Sequence, residues 1–190
     1  DIVGGASALG DGHILSWSGD NALHLWDING VLVKRLQGHT SWVIGAIELT
    51  NGHILSWGND NILQLWDTDG NLIKVLDENN GLILNAVEFS NNRILSWKSD
   101  GTLQLWDGEG NLLNTLLGHT EWVNGSVELA DGRILSWSYD KTLRLWDSEG
   151  NPISTLSGHT DWVLGATELV DGRILSWSYD KTLRLWDSEG

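Results

Sequence analysis

The 190-residue chain contains no cysteine and no methionine, one proline, one phenylalanine and two tyrosines. Without cysteine, disulfides and thiolate chemistry are excluded, and the redox state of the compartment stays open. No apolar run approaches the ~18 residues of a membrane-spanning helix, and no secretory leader pattern is visible. A cytoplasmic chain without membrane contact is therefore expected. Basic residues are scarce: 11 against 26 acidic ones, for a formal net charge of -15. Phosphate backbones and anionic lipid both require clustered Lys and Arg, so no nucleic-acid partner is expected either. The chain opens on Asp1 rather than a methionine, as an excised or processed chain would.

What is abundant is tryptophan, 13 residues, far above average usage. The excess is periodic. Trp17, Trp57, Trp97, Trp137 and Trp177 stand forty residues apart, and so do Trp26, Trp66, Trp106, Trp146 and Trp186, each followed by Asp in the phrase LWD. Five units follow: 1–40, 41–80, 81–120, 121–160 and 161–190, the last without its final ten residues. Residues 131–150 and 171–190 are identical.

Within a unit the signals are for strands. In the fourth, Trp122–Leu129 is apolar-rich and ends at Asp131-Gly132, a two-residue hairpin signal. Arg133–Ser138, Thr142–Asp147 and Asn151–Leu156 are the next three strands, separated by Tyr139-Asp140-Lys141 and by Glu149-Gly150. Both faces of such a sheet are apolar, with Leu143 and Leu145 opposed to Trp146, so each sheet needs a neighbour on either side. Pro152 in the fourth strand suits an edge, where its missing N–H costs nothing. Sheets stacked radially around an axis satisfy these demands, giving an all-β propeller of four-stranded antiparallel blades.

The phrase GHT at Gly38–Thr40, Gly118–Thr120 and Gly158–Thr160, together with LWD in all five units, resembles the WD40-repeat propeller family. The near-identity of copies also resembles the recently amplified, highly repetitive propellers common in bacteria, often the sensing or scaffolding part of a longer effector protein. Such rings usually have seven or eight blades. Self-association, or completion of the ring by another chain, is therefore expected.

The resemblance implies structural tetrads: His39, Ser56, Asp60 and Trp66; His119, Ser136, Asp140 and Trp146; His159, Ser176, Asp180 and Trp186. Their Ser, His and Asp could be mistaken for catalytic triads, but a triad also needs a cleft and an oxyanion hole, so no enzyme is expected. A buried chain of hydrogen bonds, indole to Ser to His to Asp, is the expectation. The third unit has Asn79 at the His position, and the first lacks the position altogether. The LSW tryptophans depart from the family, which usually has a small residue there. Strand alternation places them between blades as packing, against a sharper reading as carbohydrate platforms.

Asp67-Thr68-Asp69-Gly70-Asn71 has a faint calcium-loop look, yet its sixth position is Leu72 where an EF-hand loop needs Gly. The six His are dispersed. No metal and no cofactor are expected. In the family, the residue before the tetrad Asp and two alternate residues opening the first strand line a narrow top face used for partners. Here these are Trp42, Ile44 and Asn59; Trp122, Asn124 and Tyr139; and Trp162, Leu164 and Tyr179. The third unit offers Leu82, Leu84 and Ser99, and the first, poorly, Ile2, Gly4 and Gly19. A scaffold receiving a protein or peptide at this face is the leading reading. A lectin-like propeller with repeated aromatic sites is the alternative.

Overall fold

The strands alternate with tight turns throughout the computed structural model, which describes residues 2–77 and 81–190. The first sheet comprises β1 (Val3–Ala8), β2 (Ile14–Ser18), β3 (Ala22–Trp26) and β4 (Leu32–Gln37). The second comprises β5 (Val43–Glu48), β6 (Ile54–Gly58), β7 (Leu63–Trp66) and β8 (Leu72–Asp77), and the third β9 (Ile83–Phe89), β10 (Arg93–Lys98), β11 (Leu103–Trp106) and β12 (Leu112–Leu116). The fourth holds β13 (Val123–Glu128), β14 (Ile134–Ser138), β15 (Thr142–Trp146) and β16 (Pro152–Ser157). The fifth has three strands, β17 (Val163–Glu168), β18 (Ile174–Ser178) and β19 (Leu183–Trp186). Strand order in every sheet follows chain order, all pairs antiparallel, so Pro152 lies on an edge strand.

The first hairpin differs from the expected two-residue turn. The Leu129 N–H donates to the Arg133 carbonyl and the Gly132 N–H to the Leu129 carbonyl. The loop therefore has three residues and closes on Gly132 at φ 87, the left-handed position that glycine takes without steric cost. The third strand also stops one residue early, because Asp147 leaves the ladder. Its carboxylate accepts the Glu149 and Asn151 N–H groups and the Asn151 side-chain amide. This is the physical role of the Asp in LWD. It also accounts for the calcium-like stretch, since the Asp67 carboxylate is occupied by the Asn71 backbone and side chain.

The cores lie between blades rather than within them. Leu135, Leu143 and Leu145 of the fourth blade are fully buried against Val163, Ala166 and Ile174 of the fifth. First strands of successive blades pack together, β1 with β5, β9 with β13 and β13 with β17. A second joint was not legible in the sequence: Glu48, Glu88, Glu128 and Glu168 each accept a backbone N–H from the hairpin of the preceding blade, at 2.6–2.8 Å. A charged acceptor makes these bonds stronger than neutral ones.

Four of the five LSW tryptophans, Trp17, Trp57, Trp97 and Trp137, pack between blades as expected, whereas Trp177 stands on the exposed face of the last blade. Trp57 and Trp97 are almost fully buried. Each pairs across the ladder with a first-strand residue, which is Gly5, Gly45, Gly125 or Gly165 in four blades and Asn85 in the third. The last blade's outward face is open. Leu183 and Leu185 are 68% and 50% exposed, whereas their counterparts Leu143 and Leu145 are at 0%.

Candidate functional site: tetrads and the aromatic top face

Two constellations recur from blade to blade. The first is buried. Trp66 Nε1–H donates to Ser56 Oγ (2.8 Å), Ser56 lies 2.9 Å from His39 Nε2, and His39 Nδ1 lies 2.9 Å from Asp60. Trp146, Ser136, His119 and Asp140 repeat the row at 2.9, 2.9 and 2.7 Å, and Trp186, Ser176, His159 and Asp180 at 2.9, 2.9 and 2.8 Å. One assignment satisfies every atom: neutral His donating from Nδ1 to Asp and accepting the Ser hydroxyl at Nε2. The Thr of GHT adds its backbone N–H to the same carboxylate, from Thr40, Thr120 and Thr160.

The surroundings set the charges. Burial is the largest influence on His39 and lowers its pKa, outweighing the pull of Asp60. Burial raises Asp140, but hydrogen bonds from His119 and from the Thr142 side chain and backbone overcome it and hold the carboxyl well below its ordinary range. Ser56, Ser136 and Ser176 are completely buried, so no substrate reaches these hydroxyls in the folded state. The rows join strands to the preceding loop and have the shape of a triad without access.

In the first and third blades the described part of the row is shorter. Trp26 still donates to Ser16, and Trp106 to Ser96. In the first blade Asp20 pairs instead with Arg35 at 2.9 Å and His24 at 3.4 Å. Asn79 lies outside the described residues.

The second constellation is exposed. Tyr139 stacks on Trp162 with centroids 4.4 Å apart and planes 14° from parallel. Trp122 lies 6.3 Å from Tyr139 with planes at 13°, and Tyr179 lies 5.9 Å from Trp162 at 55°. Four of the six residues expected from blades four and five, Trp122, Tyr139, Trp162 and Tyr179, thus form one aromatic row, without Asn124 and Leu164. The Ser138 hydroxyl donates to the Glu121 carbonyl and that of Ser178 to the Asp161 carbonyl, fixing the segment before each Trp.

Other top-face residues are placed differently. Asn124 is committed to the protein: its side-chain amide donates to the Leu164 carbonyl at 3.0 Å. Trp42 leans over Gly19, where a Cβ would come within 2.9 Å of the indole. Ile44 accepts the Trp17 indole N–H through its carbonyl. Trp42, Ile44, Asn59, Leu82 and Leu84 together line an apolar cavity of about 450 Å³. Sequence reading supplied these residues blade by blade but not the contacts across joints, which depend on how one blade is rotated against the next.

Five antiparallel sheets packed face to face give the blade architecture of a β-propeller, and three of them carry the buried Trp–Ser–His–Asp row. Residues 110–147 and 150–187 match the family described as WD domain, G-beta repeat. No curated protein sequence matches the chain. Among solved structures, the WD40 β-propeller domain of Doa1 is similar at 26% identity and a TM-score of 0.69, over 93% of this chain and 61% of that one. The computationally designed Ika8 protein is similar at 25% identity and a TM-score of 0.78, over 96% and 58%. The C-terminal WD40 domain of Sif2, at 23% identity and a TM-score of 0.79 over 98% and 55%, is alike in fold. The chain thus spans 55% to 61% of the length of these structures.

Proposed function

We propose that the chain is a non-enzymatic, cytoplasmic scaffold that receives a protein or peptide on its top face, as the sensor part of a longer effector-bearing protein. WD40 propellers generally serve as protein–protein interaction scaffolds, and one observation carries the reading here. The aromatic row Trp122–Tyr139–Trp162–Tyr179 leaves Trp122, Trp162 and Tyr179 about half exposed or more, on a rigid sheet end. Aromatic anchors of this kind concentrate binding energy at interfaces. A glycan platform is not favoured, because a sugar needs an open ring face and Tyr139 and Trp162 cover each other's faces at 4.4 Å. The test is quantitative capture with Trp162→Ala plus Tyr179→Ala. Loss of the partner at an unchanged melting temperature supports the reading; unchanged capture overturns it.

Self-association has its own support. The face bearing Trp177, Leu183 and Leu185 is exposed, while the same face of the fourth blade is buried by the fifth. A further blade supplied by another chain would cover it. Leu183→Asp should then reduce the mass measured by light scattering to that of one chain. A wild-type monomer would sink the idea.

A further inference from the structure

At the joint between the fourth and fifth blades, Tyr139 and Trp162 fill the space at the top of the interface by stacking on each other. At the joint between the second and third blades, the same two positions hold Asn59 and Leu82. The smaller pair leaves the cavity of about 450 Å³, walled by Trp42, Ile44, Leu82 and Leu84, with Asn59 and Gly4 at its polar edge. Among the described residues, no charged side chain lines it. Leu84 also walls a second, half-polar cavity of about 250 Å³, bounded by Asn85, Asn124, Trp122 and Tyr139, so the two cavities share a wall next to the start of the aromatic row.

From this geometry we infer that the cavity is the anchor site of the top face, taking one aromatic side chain of a partner peptide whose flanking residues are basic. The inference rests on the top-face reading above. The anchor is aromatic because the missing volume is that of a ring pair the chain supplies to itself two joints further on. It is uncharged because the described lining residues offer no counter-charge. The flanks are basic because the chain carries a net charge of -15, which attracts cations and repels acidic segments. Trp42 and Ile44, 49% and 39% exposed, stand open to receive the guest.

The test uses fluorescein-labelled short peptides with phenylalanine, alanine or aspartate at the centre and either arginine or glutamate on the flanks, read by fluorescence anisotropy. The phenylalanine peptide with arginine flanks should bind best. Alanine at its centre should weaken binding by about 10-fold or more, the loss expected for burying one aromatic side chain less. Asn59→Tyr with Leu82→Trp rebuilds the ring pair of the later joint. It should abolish peptide binding while leaving the melting temperature unchanged or raised. If that variant binds as well as wild type, but Trp162→Ala plus Tyr179→Ala does not bind, the anchor site is wrong and the top-face reading stands. Binding indifferent to both variants overturns both. Failure of every peptide to bind overturns the anchor.

Discussion

Trp137 of the second strand lies flat over Gly125 of the first, so close that a Cβ on the glycine would stand 2.4 Å from Cζ2 of the indole. The pairing explains how a bulky residue fits between blades at a place where a small one is usual: the volume has been taken from the strand opposite. Gly125→Ala should cost about 1–3 kcal/mol, the range for overpacking a filled core. Gly165→Ala, under Trp177, should cost less. Trp177 is 40% exposed on the open face and can swing outward, whereas Trp137 is held by the fifth blade. Thermal melts of the two variants compare them directly, and equal losses would contradict this account.

Much of this architecture is legible before any coordinates. The forty-residue period and the strand count per unit follow from recurring letters, and the row from Trp146 through Ser136 and His119 to Asp140 is what the family resemblance carried by those letters implies. Two kinds of feature do not follow. One is the partner of a side chain within a turn: Asp147 reads as part of a strand until its carboxylate is seen capping Asn151. The other is contact across a joint. Tyr139 and Trp162 belong to different units, and only the rotation between blades brings them face to face. The glycine opposite four of the five LSW tryptophans was detectable, since Gly5, Gly45, Gly125 and Gly165 stand at the same place in their units.

Acid should loosen the array in two stages. His39 is held neutral by burial, its pKa below the ordinary 6.5. Below pH 6.5 the unfolded chain takes up a proton that the folded one refuses, so stability present above that pH is lost as pH falls. Asp140 behaves alike at lower pH: its folded carboxyl stays ionised below the ordinary 3.8, so its contribution disappears as pH falls past that value. Urea midpoints should decline between about pH 7 and about pH 5, then again below about pH 4. His39→Gln should remove the first decline and leave the second. A midpoint that rises on acidification would reverse the sign and refute the assignment.

The turn between the second and third strands carries strain in the two most similar blades. Lys141 and Lys181 have φ values of 74° and 68°, in the left-handed region, where the other blades place Asn21, Asn61 and Gly101. Asn adopts this conformation more readily because its short side chain bonds locally, whereas a lysine pays a steric cost of about 1 kcal/mol there. Lys141→Asn should therefore raise the melting temperature by about 2–4 °C. A fall would mean that the lysine makes contacts worth more than the strain.

Asn124 and Trp137 compete for one acceptor. In the first blade Trp17 donates its indole N–H to the Ile44 carbonyl at 3.1 Å, and the residue at the position of Asn124 is Gly4. In the fourth blade the corresponding carbonyl, that of Leu164, is taken by the Asn124 amide, and Trp137 Nε1 is left buried without a partner. An unsatisfied buried donor costs about 1–3 kcal/mol, so the amide gains its bond at the indole's expense. Asn124→Gly removes the competitor and should hand the carbonyl to Trp137, as in the first blade. The variant should slow hydrogen exchange at the Trp137 indole, visible as a protected indole resonance, and should leave overall stability nearly unchanged. A destabilisation of 1 kcal/mol or more, roughly the worth of one hydrogen bond, with no added protection would show that the indole cannot reach the carbonyl even when it is free.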